Sequence, residues 1–342
     1  MKTKYCLALA FALLSTAALG AGKPAAGELT FQVVPLVSDQ AGVAPFTDPN
    51  LVNPWGLSQA PGNPLWVSDN HTNLSTLYDP STGQPQSLVV NIPSDGPTGT
   101  VFVPPGTGFP ITENDVTDDS IFLFDTEGGA ILGWSYNVDL NNAIIGVDNS
   151  ANGSVYKGLA YDPTDVLLFA ADFHNNQVQV YDRNWNLVRS FTDPSLPKNF
   201  APFNVQWLND KLYVAFAERE ADGDDEVAGK GLGYVEVFDT QGVMLKHLVS
   251  NAQLNAPWGL VIAPPGFGKY AGDLLVGNFG DGRIHAYDAN KGTFKGTLRG
   301  AKSKPITIDG LWALFPGPND NTIMFSAGPD DEQHGLLGQI TR

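Results

Sequence analysis

The chain has 342 residues, 19 of them basic and 36 acidic, for a net charge of −17, yet charged residues are only 16% of it. A field of that sign repels phosphate backbones and anionic membrane surfaces, which excludes nucleic acid as a partner and leaves cations, glycans and other proteins. A hydrophobic share of 42% excludes wholesale disorder, while 37 Gly and 25 Pro point to many short elements joined by tight turns, the profile of an all-β protein.

In chain order, the first element is an address. Met1-Lys2-Thr3-Lys4 is a basic opening, Leu7 to Leu14 an apolar run, and Ala18 and Gly20 precede a cleavage point before Ala21. Residues 1–20 therefore read as a signal peptide, 21–28 as a linker and 29–342 as one domain. The apolar run is too short to span a bilayer. The expected product is a secreted or periplasmic monomer of net charge −19 that is not inserted in the membrane. The single cysteine, Cys6, leaves with the leader, so disulfides, thiol catalysis and Cys–zinc sites are excluded.

A strand, Phe31 to Val37, comes next, and then a repeat. An aromatic followed by Asp recurs at Tyr78-Asp79, Phe124-Asp125, Tyr181-Asp182, Phe238-Asp239 and Tyr287-Asp288, spaced by 46, 57, 57 and 49 residues. Each closes a short run alternating polar and apolar, the pattern of a half-buried strand. Upstream lie Gly-Leu-type openings such as Trp55-Gly56-Leu57, Lys157-Gly158-Leu159, Trp258-Gly259-Leu260 and Asp309-Gly310-Leu311, each followed by a second strand such as Leu65-Trp66-Val67. A fourth strand follows the turn, as in Leu187 to Phe191. Four strands per unit at a period of about 50 predict a β-propeller. Six openings, near residues 53, 97, 155, 201, 256 and 307, predict six blades. The last has three strands, so the N-terminal strand is expected to complete it and remove a free edge.

Propeller topology puts the loops between second and third strands on one face, with the lead-ins to the first strands. That face is expected to bind ligand through Asn53, Trp55, Asp69, Asp172, Trp258, Asn278, Asp281, Asp309 and Trp312, because loops on a rigid scaffold carry function. The acidic blade-four loop supplies Asp222, Asp224, Asp225 and Glu226, and blade six supplies Asp330, Asp331, Glu332 and His334. Oxygen ligands at that density suit Ca²⁺. His71, His174 and His334 on the same face are an alternative Zn²⁺ set. His247 and His285 lie in strands and read as structural. The motifs for a nucleophile elbow, a phosphate loop and a zinc-protease helix are absent.

Asn53-Pro54-Trp55-Gly56, Asp224 to Gly229, Ala256 to Leu260, Asp273 to Gly282, Asp309 to Trp312 and Ala327 to Leu336 together resemble a family of secreted, uncharacterised six-bladed propellers distantly similar to NHL-repeat proteins. The resemblance spans roughly residues 31–340. It implies the fold and singles out Asp224, Asp225, Asp330, Asp331, Glu332 and His334 as family motif, without an activity. The expected function is binding through the acidic face, toward a cation, glycan or extracytoplasmic protein. The alternative is a metal-dependent lyase or hydrolase of the NHL-like or lactonase-like kind, with its site over the central channel.

Overall fold

The computed structural model describes residues 30–221 and 223–342. The expected leader, the linker and Asp222 lie outside the described residues. Six antiparallel sheets form the blades of a propeller, each running from an inner to an outer strand. Blade three shows the unit: Tyr156–Asp162, Leu167–Asp172, Gln177–Tyr181 and Leu187–Phe191 pair in sequence order. The other inner strands are Pro54–Gln59, Pro97–Phe102, Phe200–Leu208, Pro257–Ile262 and Leu311–Pro316. Five of the six begin within one residue of the expected openings.

Ring closure is as expected. Gln32–Ser38 pairs antiparallel with Leu336–Thr341 as the outer strand of blade six, from Gln32 opposite Thr341 to Ser38 opposite Leu336. Phe46–Thr47 adds a short parallel segment outside it. Among the described residues no helix is long and apolar enough to cross a membrane.

Two blades depart from the expected phase. In blade two, Phe122–Thr126, which carries Phe124-Asp125, is the second strand rather than the third. A hairpin, Pro110–Glu113 with Val116–Asp119, is inserted between first and second strands and lengthens that connection. In blade six the inner strand begins at Leu311. Trp312-Ala313-Leu314, rather than Asp309-Gly310-Leu311, is therefore the counterpart of Trp55-Gly56-Leu57.

The openings have a packing cause. At this point each inner strand has one more residue than its neighbour, as between Pro54 and Leu57 opposite Asp69 and Val67. Such a bulge re-aims side chains locally. It turns one residue per blade toward the axis: Trp55, Thr98, Lys157, Phe203, Trp258 and Trp312. The following residue must let the next inner strand approach. A Cβ on Gly56 would lie 2.5 Å from the carbonyl oxygen of Thr98, and one on Gly99 would lie 2.5 Å from the backbone nitrogen of Leu159. Four of the six axial side chains are large aromatics, and they fill the channel. Trp55 stacks on Trp312 with centroids 3.4 Å apart, and Trp258 meets both edge-on at 5.8 and 6.0 Å.

Candidate functional site: an acidic cup over an aromatic plug

The plug is the floor of a cavity of about 520 Å³ at the channel mouth. The floor is a three-ring stack, Phe279 on Trp312 on Trp55, with Phe279 and Trp312 centroids 4.0 Å apart. The wall carries five carboxylates from three blades: Glu127 from blade two, Asp225 and Glu226 from blade four, and Asp331 and Glu332 from blade six. Asn70 and His71 of blade one complete it. All the wall residues come from loops between second and third strands, as propeller topology requires.

Lys157 is the one axial position that is neither aromatic nor Thr. It is 1% exposed, with its ammonium bonded to Glu127, 3.2 Å from Asp225 and 5.4 Å from the centre of the Trp55 ring. Burial disfavours the charged amine, but Glu127, Glu226 and Asp225 outweigh it and hold Lys157 above its ordinary pKa. Glu226 moves the other way. Burial pushes its carboxyl up to about 7, against the pull of Lys157 and with the help of Glu332 and Asp225. Glu332 is also raised, mainly by burial, while a hydrogen bond from Asn53 opposes the shift.

Asn53 joins floor to wall. It is fully buried, and its Oδ1 accepts from the Trp312 indole at 2.9 Å. Its Nδ2 donates to Glu332 at 2.6 Å and to Asn70 at 3.3 Å, and Asn70 donates in turn to Glu127 at 2.8 Å. One network thus runs from blade six through blade one and blade two to Lys157. Glu332 enters the cup from a turn in which Asp330, Asp331 and Glu332 all have positive φ, at 60°, 50° and 64°. Backbone strain of that kind persists where the surroundings over-determine it, and it collects at functional sites.

Of the residues expected on this face, Trp55 and Trp312 line the cup, Asn53 is buried behind it and bonded to Glu332, and Trp258 lies in the plug beneath it. The remaining four blade-loop acids and Asn278 serve the scaffold. Asp69 is buried and accepts from Thr76 at 2.7 Å, and burial holds its carboxyl well above the ordinary range. Asp172 accepts from Ser154, Asn175 and Gln179. Asn278 donates to Asp281 at 3.1 Å, and Asp309 accepts the backbone N–H of Asp330 at 2.9 Å.

The expected metal sets divide. Asp225, Glu226, Asp331 and Glu332 face the cup, whereas Asp224 pairs with His174 at 2.5 Å and Asp330 lies 3.9 Å from His334. His334 is engaged by Asp39 at 2.8 Å. His71, His174 and His334 do not converge: among the described residues, only Asp193, Glu236 and His247 form a group of three whose ligand atoms lie within 4.8 Å of one another. Four cup residues were not expected: Asn70, Glu127, Lys157 and Phe279. Lys157 stands where the aligned openings of blades one and five have Trp, and that substitution is its sequence signal. Glu127 was hidden because blade two was phased one strand late, which made its loop a plain outer turn.

Fold and cup together define a six-bladed propeller with a closed channel and a polar site at its mouth. No protein-family model matches the chain. Two proteins of Acanthamoeba polyphaga mimivirus do: "Uncharacterized protein R648" is 32% identical over 327 residues, 92% of this chain and 80% of that protein. "Uncharacterized protein L690" is 32% identical over 332 residues, 92% of this chain and 86% of that protein. The chain belongs to the family of these two proteins. Among solved structures, a streptogramin B lyase superposes with a TM-score of 0.53 at 10% identity, covering 91% of this chain and 98% of the lyase. A luciferin-regenerating enzyme superposes with a TM-score of 0.55 at 14% identity, covering 86% and 92%. A virginiamycin B lyase from Staphylococcus aureus gives 0.52 at 14% identity, covering 92% and 99%. These likenesses show a shared propeller fold.

Proposed function

We propose that this is an exported binding propeller that takes a small organic cation, an amine or guanidine, in the cup at its channel mouth. The observation that carries the reading is the surplus of charge: five carboxylates line a half-enclosed cavity against one ammonium already bonded to Glu127. A carboxylate in such a place takes up a proton or a counter-cation, and Glu226, pushed up to about 7, is poised between the two. The aromatic floor suits a cationic ligand, since a ring face attracts a desolvated cation. Export rests on the basic opening, apolar run and small residues of the first 20 positions.

Calorimetric titration of the full chain with spermidine, a neutral trisaccharide and Ca²⁺ separates the readings. Spermidine should bind, more tightly as pH rises through about 7 and Glu226 loses its proton. Glu332→Gln or Glu226→Gln should weaken it about tenfold or more, the value of one charge-assisted hydrogen bond. Binding of the saccharide alone would overturn the cationic reading. Binding of Ca²⁺ alone, lost in Asp331→Asn, would make the cup an inorganic site. Turnover is not implied by the cup as it stands.

A further inference from the structure

Away from the cup, two buried carboxylates meet a histidine at the seam between blades three and four. Asp193 follows the outer strand of blade three, Glu236 lies in Tyr234–Phe238, and His247 faces it across the sheet in Met244–Ser250. Glu236 is fully buried and Asp193 is 5% exposed. Asp193 commits Oδ1 to the backbone N–H of Ser195 at 2.8 Å and to its hydroxyl at 2.7 Å. That leaves Oδ2 turned to the cluster. Among the described residues, neither this oxygen nor either oxygen of Glu236 has a hydrogen-bond partner, and no Lys or Arg comes within ion-pair distance of them. His247 Nδ1 lies 2.9 Å from Glu236 Oε2 and 3.4 Å from Asp193 Oδ2, but without the alignment of a hydrogen bond.

The equivalent polar position in other blades is satisfied. Thr76 donates to Asp69, Gln179 donates to Asp172, and His285 pairs with Thr297 at 2.9 Å. Glu236 alone of these is unpartnered, and orphaned buried carboxylate oxygens are costly. Nitrogen and oxygen ligands held about 2.0–2.1 Å from a zinc ion in a tetrahedron lie roughly 3.3 Å apart; the two separations from His247, 2.9 and 3.4 Å, bracket that spacing, and all three ligand atoms lie within 4.8 Å of one another.

We propose that Asp193, Glu236 and His247 form a binding site for a divalent metal ion of the zinc type, which ties the exit of blade three to the outer strands of blade four. One imidazole with two carboxylates suits Zn²⁺ or Mn²⁺ better than Ca²⁺, which prefers an all-oxygen set. His247 is half-exposed and supplies the route in, with water completing the coordination. Without a metal the cluster keeps a proton instead, since burial and the charge of Asp193 push the Glu236 carboxyl up to about 8.

The test is calorimetric titration of the full chain, stripped with a chelator, with Zn²⁺, Mn²⁺ and Ca²⁺ at pH 7.5. The expected result is one Zn²⁺ per chain, with Ca²⁺ at least a hundredfold weaker. His247→Ala and the isosteric Glu236→Gln should each weaken Zn²⁺ at least tenfold while keeping the circular dichroism of the parent. Glu332→Gln, in the cup, should leave Zn²⁺ binding unchanged. Absence of Zn²⁺ binding, binding indifferent to both His247→Ala and Glu236→Gln, or binding lost in Glu332→Gln overturns the proposal.

Discussion

Replacing Asn53 with Ala probes the link between the plug, the cup and the blade that closes the ring. Three costs can be worked from the geometry. The Trp312 indole N–H, buried against Asn53 Oδ1 at 2.9 Å, loses its acceptor at about 1–3 kcal/mol. The donor to Glu332 at 2.6 Å, a bond to a charged group, is worth about 1.5–3 kcal/mol. Asn53 also sits at φ 47°, where Ala costs roughly 1–2 kcal/mol that Asn partly avoids. The combined loss should be roughly 4 kcal/mol or more, read as a fall in the urea midpoint at unchanged slope. Asn53→Gly, free of the backbone penalty, should recover about 1 kcal/mol of it. Asn53→Asp keeps the acceptor for Trp312 but sets a second carboxylate beside Glu332, so its deficit should shrink on acidification. The reasoning fails if Asn53→Ala loses less than about 1 kcal/mol, or if Asn53→Gly is no better than Asn53→Ala.

Three further outcomes follow from the fold. Starting the chain at residue 39 removes the pairings with Leu336–Thr341 and the buried Phe31, Leu36 and Val37. Their burial, roughly 1.5–3 kcal/mol each, rivals the whole stability of a typical domain at about 5–15 kcal/mol, so no cooperative melt is expected. A melting temperature near that of the full chain would show closure by other means. Gly56→Ala drives a Cβ to 2.5 Å from one backbone atom of blade two and 2.8 Å from another, and should cost about 1–3 kcal/mol by chemical denaturation. A neutral result there would mean the inner strands can slide apart. Finally, burial raises Asp125 and Glu226 each to about 7, well above their unfolded values. The folded state then holds protons that the unfolded chain has released, so this contribution is complete below about pH 4 and is lost as pH rises through 7. Melting temperature should accordingly fall from pH 5 to pH 8 in chelator, and Asp125→Asn should flatten that slope; an equal slope in the variant would remove Asp125 as a cause.

The amino-acid sequence by itself determined the blades, because a strand in a half-buried sheet needs its apolar residues at every second position and its turns at Gly and Asn. Those are local requirements, and they stand in the chain wherever Tyr78, Tyr181, Phe238 and Tyr287 close their strands. Closure by residues 31–37 was legible for a similar reason: a blade with three strands leaves an edge, and one unassigned strand remained. The phase of blade two was not legible, since the inserted hairpin at 110–119 resembles a pair of blade strands until the pairings are known. With it went Glu127. Which acids face one another was decided by tertiary structure alone, because a loop's sequence says nothing of its reach across the channel: Asp225 meets Lys157, whereas the adjacent Asp224 turns outward to His174. The same holds for His247, an ordinary strand residue in sequence, which acquires chemical interest only because Asp193 and Glu236 arrive beside it with oxygens left unpaired.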